Sequence, residues 1–175
     1  ETFRYDRYHN VVTYIDEGDT AYSDDGAMAR FSYYTNQPNN LIGLRKDFTT
    51  FTADSSIILR ENQFVYNSEG KLTKQTLGTG PNSPVYEFEY DTIYGNIIRR
   101  VLPRNDSYQR MEYYYTYDDF LHSYPVRIEN SFHDTTVTSY DYHLGKPLTI
   151  TDQCGNTMTY TYDYVGRLVA VRSPM

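Results

Sequence analysis

The chain has 175 residues with 21 Tyr, 8 Phe, 20 Thr and no Trp, a composition that suits pleated, half-buried strands and not helices. Its 16 basic against 23 acidic residues, net charge -7, exclude the basic footprint that a nucleic-acid backbone requires. One cysteine, Cys154, excludes an internal disulfide and a multi-cysteine metal site, and no run approaches the roughly 18 apolar residues of a spanning helix.

In chain order, a first unit reads Phe3-Arg4-Tyr5-Asp6-Arg7-Tyr8-His9-Asn10, followed by the acidic turns Asp16-Glu17-Gly18-Asp19 and Asp24-Asp25-Gly26. A degenerate copy lies near Phe31-Ser32-Tyr33-Tyr34, and a clear one spans Phe64-Val65-Tyr66-Asn67-Ser68-Glu69-Gly70-Lys71-Leu72. Then come Phe88-Glu89-Tyr90-Asp91 with Gly95, Tyr115-Thr116-Tyr117-Asp118, and Thr138-Ser139-Tyr140-Asp141 with Gly145. The clearest unit closes the chain, Tyr160-Thr161-Tyr162-Asp163-Tyr164-Val165-Gly166-Arg167-Leu168. The second aromatic falls at 66, 90, 117, 140 and 162, in steps of 24, 27, 23 and 22. Repetition at that period is the signature of a repeat architecture.

Each unit reads as a β-hairpin. In Tyr86-Glu87-Phe88-Glu89-Tyr90 and in Met158-Thr159-Tyr160-Thr161-Tyr162 the aromatics alternate with other residues, so they share one face of a strand. The aspartate ends the strand, and a Gly or Asn after it takes the positive φ that closes the turn, as expected for several of Gly70, Gly95, Gly155 and Gly166. Return strands follow at Asn96–Val101, Pro147–Thr151 and Arg167–Val171, and Thr151–Asn156 makes a second kind of turn. His9 in place of glycine, Asn67 in place of aspartate and the missing glycine after Tyr117 predict three irregular turns. The expected fold is all-β: consecutive antiparallel hairpins in one curled sheet, with units near 3–30, 31–63, 64–85, 86–112, 113–135, 136–157 and 158–175.

The pattern aromatic-x-Tyr-Asp-x-x-Gly-Arg/Asn-Leu resembles the YD repeat of the RHS family, which includes bacterial Rhs toxins, Tc-toxin B and C components and teneurins. Three segments look most like the B-component and SpvB-type branch. These are Tyr33-Tyr34-Thr35-Asn36 with Leu41-Ile42-Gly43-Leu44, Leu121-His122-Ser123-Tyr124-Pro125-Val126, and Tyr140-Asp141-Tyr142-His143-Leu144-Gly145. The resemblance covers essentially the whole chain. It implies a segment of a spiralling β-shell, secreted or at the cell surface, whose partners are neighbouring repeats and an enclosed C-terminal effector. The opening Glu1-Thr2-Phe3 and the closing Arg172-Ser173-Pro174-Met175 carry no polar cap, which predicts a piece of a longer chain with open sheet edges.

Catalytic chemistry finds little support. His9, His122, His133 and His143 fall in or near turns at repeat-like spacing and form no ligand pattern. The acidic turns lack a calcium-loop spacing. Asp118-Asp119 sits in a turn without the contrasting environments that separate an acid from a base. Cys154 reads as a turn substituent, and no cofactor is expected. The tyrosines either pack one face, their hydroxyls bonded across strands, or form a platform for sugar rings; their fixed repeat positions favour packing. In Tyr113-Tyr114-Tyr115 consecutive side chains must point to both faces, so Tyr114 is the candidate ligand-facing ring.

Overall fold

The computed structural model describes residues 1–19, 21, 25–35 and 42–174. Asp24, Asn36, Leu41 and Met175, to which the sequence drew attention, lie outside them. Among the described residues, fourteen antiparallel strands run in the order of the sequence. They are β1 (Thr2–Tyr5), β2 (Val11–Asp16), β3 (Ala27–Tyr33), β4 (Arg45–Thr52), β5 (Ile58–Tyr66), β6 (Leu72–Leu77), β7 (Val85–Tyr90), β8 (Ile97–Arg104), β9 (Arg110–Tyr117), β10 (Pro125–Asn130), β11 (Thr135–Asp141), β12 (Lys146–Thr151), β13 (Thr157–Tyr162) and β14 (Leu168–Arg172). No helix occurs among the described residues, and the expected all-β hairpin array is what the chain forms. Two compact units divide it, Glu1–Glu87 and Phe88–Met175, with the division inside β7.

Alternation decides which face each side chain takes. In the first unit the register pairs Phe3 with Tyr14 and Phe31 with Phe48, so these rings share a face. Ring centroids lie 5.0 Å apart for Phe3–Tyr14, 6.1 Å for Phe31–Phe48 and 6.2 Å for Phe48–Phe64. In the second unit Tyr113, Tyr115, Ile128, Ile150, Met158 and Tyr160 follow one another through the registers of β9 to β13. Phe88, Tyr90, Tyr160 and Tyr162 are half-buried while Glu89 and Thr161 between them are exposed, as period-two patterning requires.

This is a sheet with almost no closed core. Among the described residues only Met28, Ala29 and Val101 are buried hydrophobics, and no side chain is completely enclosed. Stability therefore rests heavily on cross-strand pairs and on the polar turns.

Candidate functional site

Among the described residues, six hairpin turns repeat one hydrogen-bond pattern. At Asp163 the backbone N–H donates to the Arg167 carbonyl at 2.9 Å, and the Gly166 N–H donates to the Asp163 carbonyl at 2.9 Å. Oδ1 of Asp163 accepts from the N–H groups of Val165 and Arg167 at 3.1 and 2.8 Å. Asp6, Asn67, Asn105, Asn130 and Asp152 do the same with the residues two and four places on. The residue three places on is left-handed: φ is 81° at Gly70 and Gly166 and 82° at Gly155, but also 64° at His9, 60° at Tyr108 and 67° at His133. This is the three-residue hairpin loop that ends in a left-handed residue and a bulge. The irregularity expected at His9 and Asn67 is thus absent. Histidine tolerates the left-handed region better than most side chains, and an amide oxygen accepts as a carboxylate oxygen does.

Three of these turns add a rung four residues apart. Asn10 Nδ2 donates to Asp6 Oδ2 at 3.0 Å, and Asn156 Nδ2 to Asp152 Oδ2 at 2.9 Å. At the third the polarity is reversed, Asn130 Nδ2 donating to Asp134 Oδ2 at 2.9 Å. One acid facing one amide is the requirement. Asn156→Asp, which sets two carboxylates face to face, is expected to lower Tm by a few degrees at pH 7. The double variant Asp152→Asn/Asn156→Asp, with the polarity of Asn130 and Asp134, is expected to restore it in the same calorimetric scan.

The longer turns are built on Asp and not Asn. Asp91 Oδ1 accepts from the N–H groups of Ile93, Tyr94 and Gly95, and Oδ2 accepts from that of Asn96 at 2.7 Å. Asp118 accepts five: Phe120, Leu121 and His122 on Oδ2, Ser123 and Tyr124 on Oδ1. Only a carboxylate presents two acceptor oxygens, so asparagine cannot replace it here. Burial pushes the Asp118 carboxyl up, but these donors outweigh it and hold it far below the usual range. The turn after Tyr117 is irregular, as its missing glycine implied, and His122 takes φ 53° within it.

The tyrosine near the end of the first strand of a hairpin has its own task. Between hairpins the ladders stop short of the turn edge, with last pairs at Thr13↔Arg30, Arg99↔Tyr114, Arg127↔Val137 and Thr149↔Thr159. In all four, the tyrosine three residues beyond the last pair donates its hydroxyl to the carbonyl two residues beyond on the partner strand. Tyr33 reaches Val11 O at 2.9 Å, Tyr117 reaches Ile97 O at 3.0 Å, Tyr140 reaches Pro125 O at 3.3 Å and Tyr162 reaches Pro147 O at 2.9 Å. Each tyrosine thereby ties its own hairpin to the one before it.

Further contacts join neighbouring turns of the second unit. The Tyr94 ring stacks on His122 at 3.9 Å, Tyr124 packs on Tyr140 at 4.9 Å, and Lys146 Nζ donates to the Gly166 carbonyl. Gly145, with φ 66°, lies so close to Tyr124 that a Cβ would sit 2.9 Å from its hydroxyl. At Gly155, with φ 82°, a Cβ would meet nothing within 4 Å. Gly145→Val is therefore expected to cost about 2 kcal/mol and Gly155→Val about 1 kcal/mol, measured by thermal denaturation of each variant.

Tyr114 lies on the face opposite Tyr113 and Tyr115 and is 44% exposed. Its hydroxyl donates to Glu112 Oε2, whose carboxylate keeps the phenol above its ordinary pKa. Arg99 sits 6.0 Å from the ring centroid, pairs with Glu112 at 2.8 Å and also engages Glu89. On the aromatic face of the first unit, a concavity of about 520 Å³ is lined by Phe3, Tyr14, Phe31, Tyr33 and Arg45, with Glu1 and Val11. The structure does not gather the histidines: His133 Nδ1 lies 2.9 Å from Glu129, and no cluster of three His, Cys, Asp or Glu side chains suited to a metal occurs among the described residues. Cys154 is exposed in its turn. The Asx turns at Asn105 and Asn130 were missed from sequence, although an Asn followed four residues later by Gln or Asp was the available signal.

No family model and no curated protein matches the chain. Among solved structures, a chain of the Photorhabdus luminescens Tc holotoxin pore matches 98% of this chain and 9% of its own length, at 16% identity with a TM-score of 0.70. A TcdB2–TccC3 structure is matched over 98% of this chain and 12% of its own, at 14% identity with a TM-score of 0.33. The chain thus spans about a tenth of the length of these neighbours. The first likeness establishes the fold as one shared with a component of a Tc toxin.

Proposed function

We propose that this chain is a non-catalytic stretch of wall in an RHS-type shell, exported from the cell, and that the shell encloses a toxin or effector. The observation that carries this reading is the tyrosine tie: the hairpins that begin at β3, β9, β11 and β13 are each fastened to their predecessor by the same bond, so the array extends by addition with almost no closed core. The likeness to a Tc holotoxin chain supports it. Within such a wall the units at 3–30 through 158–175 are successive hairpins of a longer spiral, close to the B-component branch, and their partners are the repeats on either side.

Electron cryomicroscopy of the natural protein that carries this sequence tests the reading. Strands continuing the array beyond β1 and β14 around an enclosed lumen are expected, and a free-standing domain with both edges capped would overturn it. The exposed ring of Tyr114 favours a second reading, a glycan-binding module. Selective binding on a glycan array, lost in Tyr114→Ala, would support that reading against the wall.

A further inference from the structure

The edge of one internal strand is left open. β5 pairs with β4 from Ile58 to Gln63, with a bulge at Leu59, but its ladder with β6 begins only at Asn62. The Gly78 N–H donates to the Glu61 carbonyl at 2.7 Å as a last rung, after which the chain turns at Gly78 with φ 99°. Among the described residues, therefore, no strand lies beside residues 57–60 on the β6 side. Their side chains report the same thing: Ile57, Ile58 and Leu59 are 59%, 57% and 60% exposed, and Arg60 is exposed too, whereas strict alternation returns from Asn62 onward. Beside this edge lies a second concavity, about 350 Å³, lined by Phe48, Arg60, Glu61, Asn62, Gln75 and Leu77.

An open strand edge offers N–H and C=O groups that another extended backbone satisfies best. We propose that residues 57–60 are a docking site for an extended peptide segment that adds as a strand beside β5, with apolar residues on Ile58 and Leu59 and an acidic residue against Arg60. The charge argument selects this occupant. Among the described residues Arg60 has no carboxylate partner, while the chain's net charge of -7 disfavours a second copy of itself. Main-chain bonds would supply affinity and the flanking side chains selectivity. This site is independent of the shell reading and would serve a binding module equally.

The probe is an acetylated, amidated hexapeptide alternating valine with threonine and carrying one central glutamate. Titration of the labelled probe by fluorescence anisotropy is expected to saturate, and hydrogen exchange at residues 57–60 is expected to slow at least tenfold while β9 to β12 stay unchanged. The same hexapeptide with alternate amides N-methylated, which cannot pair as a strand, is expected not to bind. Arg60→Glu, checked for an unchanged melting curve, is expected to weaken the probe tenfold or more and to bind a lysine-for-glutamate probe in its place. Equal binding of the methylated probe, or protection that falls elsewhere than 57–60, would overturn the proposal. So would indifference of both probes to Arg60→Glu, and so would no saturation up to millimolar peptide.

Discussion

Replacing Asp118 with alanine is expected to lower Tm by roughly 10 °C, the largest loss of any single substitution in the turns. The carboxylate is buried, 3% exposed, and it alone receives the N–H groups of Phe120, Leu121, His122, Ser123 and Tyr124. Alanine leaves five backbone donors without their shared acceptor. Asp118→Asn is expected to recover less than half of the loss, because the amide nitrogen would face donors on one side. At Asn105, where the backbone uses a single oxygen, the corresponding Asn→Asp exchange should be nearly silent. The contrast separates two-oxygen turns from one-oxygen turns in one calorimetric series. The pH dependence has a definite sign. A carboxyl held far below the ordinary value of 3.8 stabilises the fold above that pH and loses its contribution as pH falls below it. The acid limb of the wild-type stability curve should therefore flatten in Asp118→Ala, with no change between pH 6 and 8.

Much of this was legible in the sequence, for reasons that can be named. Alternation in Tyr86–Tyr90 and Met158–Tyr162 fixed the shared face, since a one-residue slip would have turned every ring outward. The glycines at 70, 95, 155 and 166 marked left-handed positions because few other residues rest there. What escaped was information held by pairs of residues far apart in the chain. The tie from Tyr162 to Pro147, or from Tyr117 to Ile97, depends on where each ladder stops, which no local pattern states. The open stretch of β5 likewise arises because β6 ends at Leu77 while β5 begins four residues before their first pair, a mismatch of lengths and not of composition. At Tyr114 the alternation argument placed the ring on the outer face, but it could not supply Arg99 and Glu112 from either side.

Removing three ties at once, in the triple variant Tyr117→Phe/Tyr140→Phe/Tyr162→Phe, is expected to destabilise the second unit by about 3 kcal/mol, near 1 kcal/mol for each hydroxyl. The rings remain, so face packing is conserved and the loss reports the hydroxyls alone. The three sites lie on separate hairpins and share no partner, so the single variants should sum to the triple. Alkaline pH provides an independent check. Burial raises the Tyr117 phenol above its usual value of 10, and burial likewise raises Tyr140. A phenol whose folded pKa is raised contributes fully below pH 10, and that contribution is lost as pH climbs through the folded value. A deprotonated tyrosine has no proton to donate to Ile97 or Pro125 in any case. Wild-type stability should thus fall above pH 10 toward that of the triple variant, so that the two curves, about 3 kcal/mol apart at pH 7, converge in urea titrations. A gap that stays constant across that range would show that the hydroxyls do not hold neighbouring hairpins together, and the tie would be a coincidence of position.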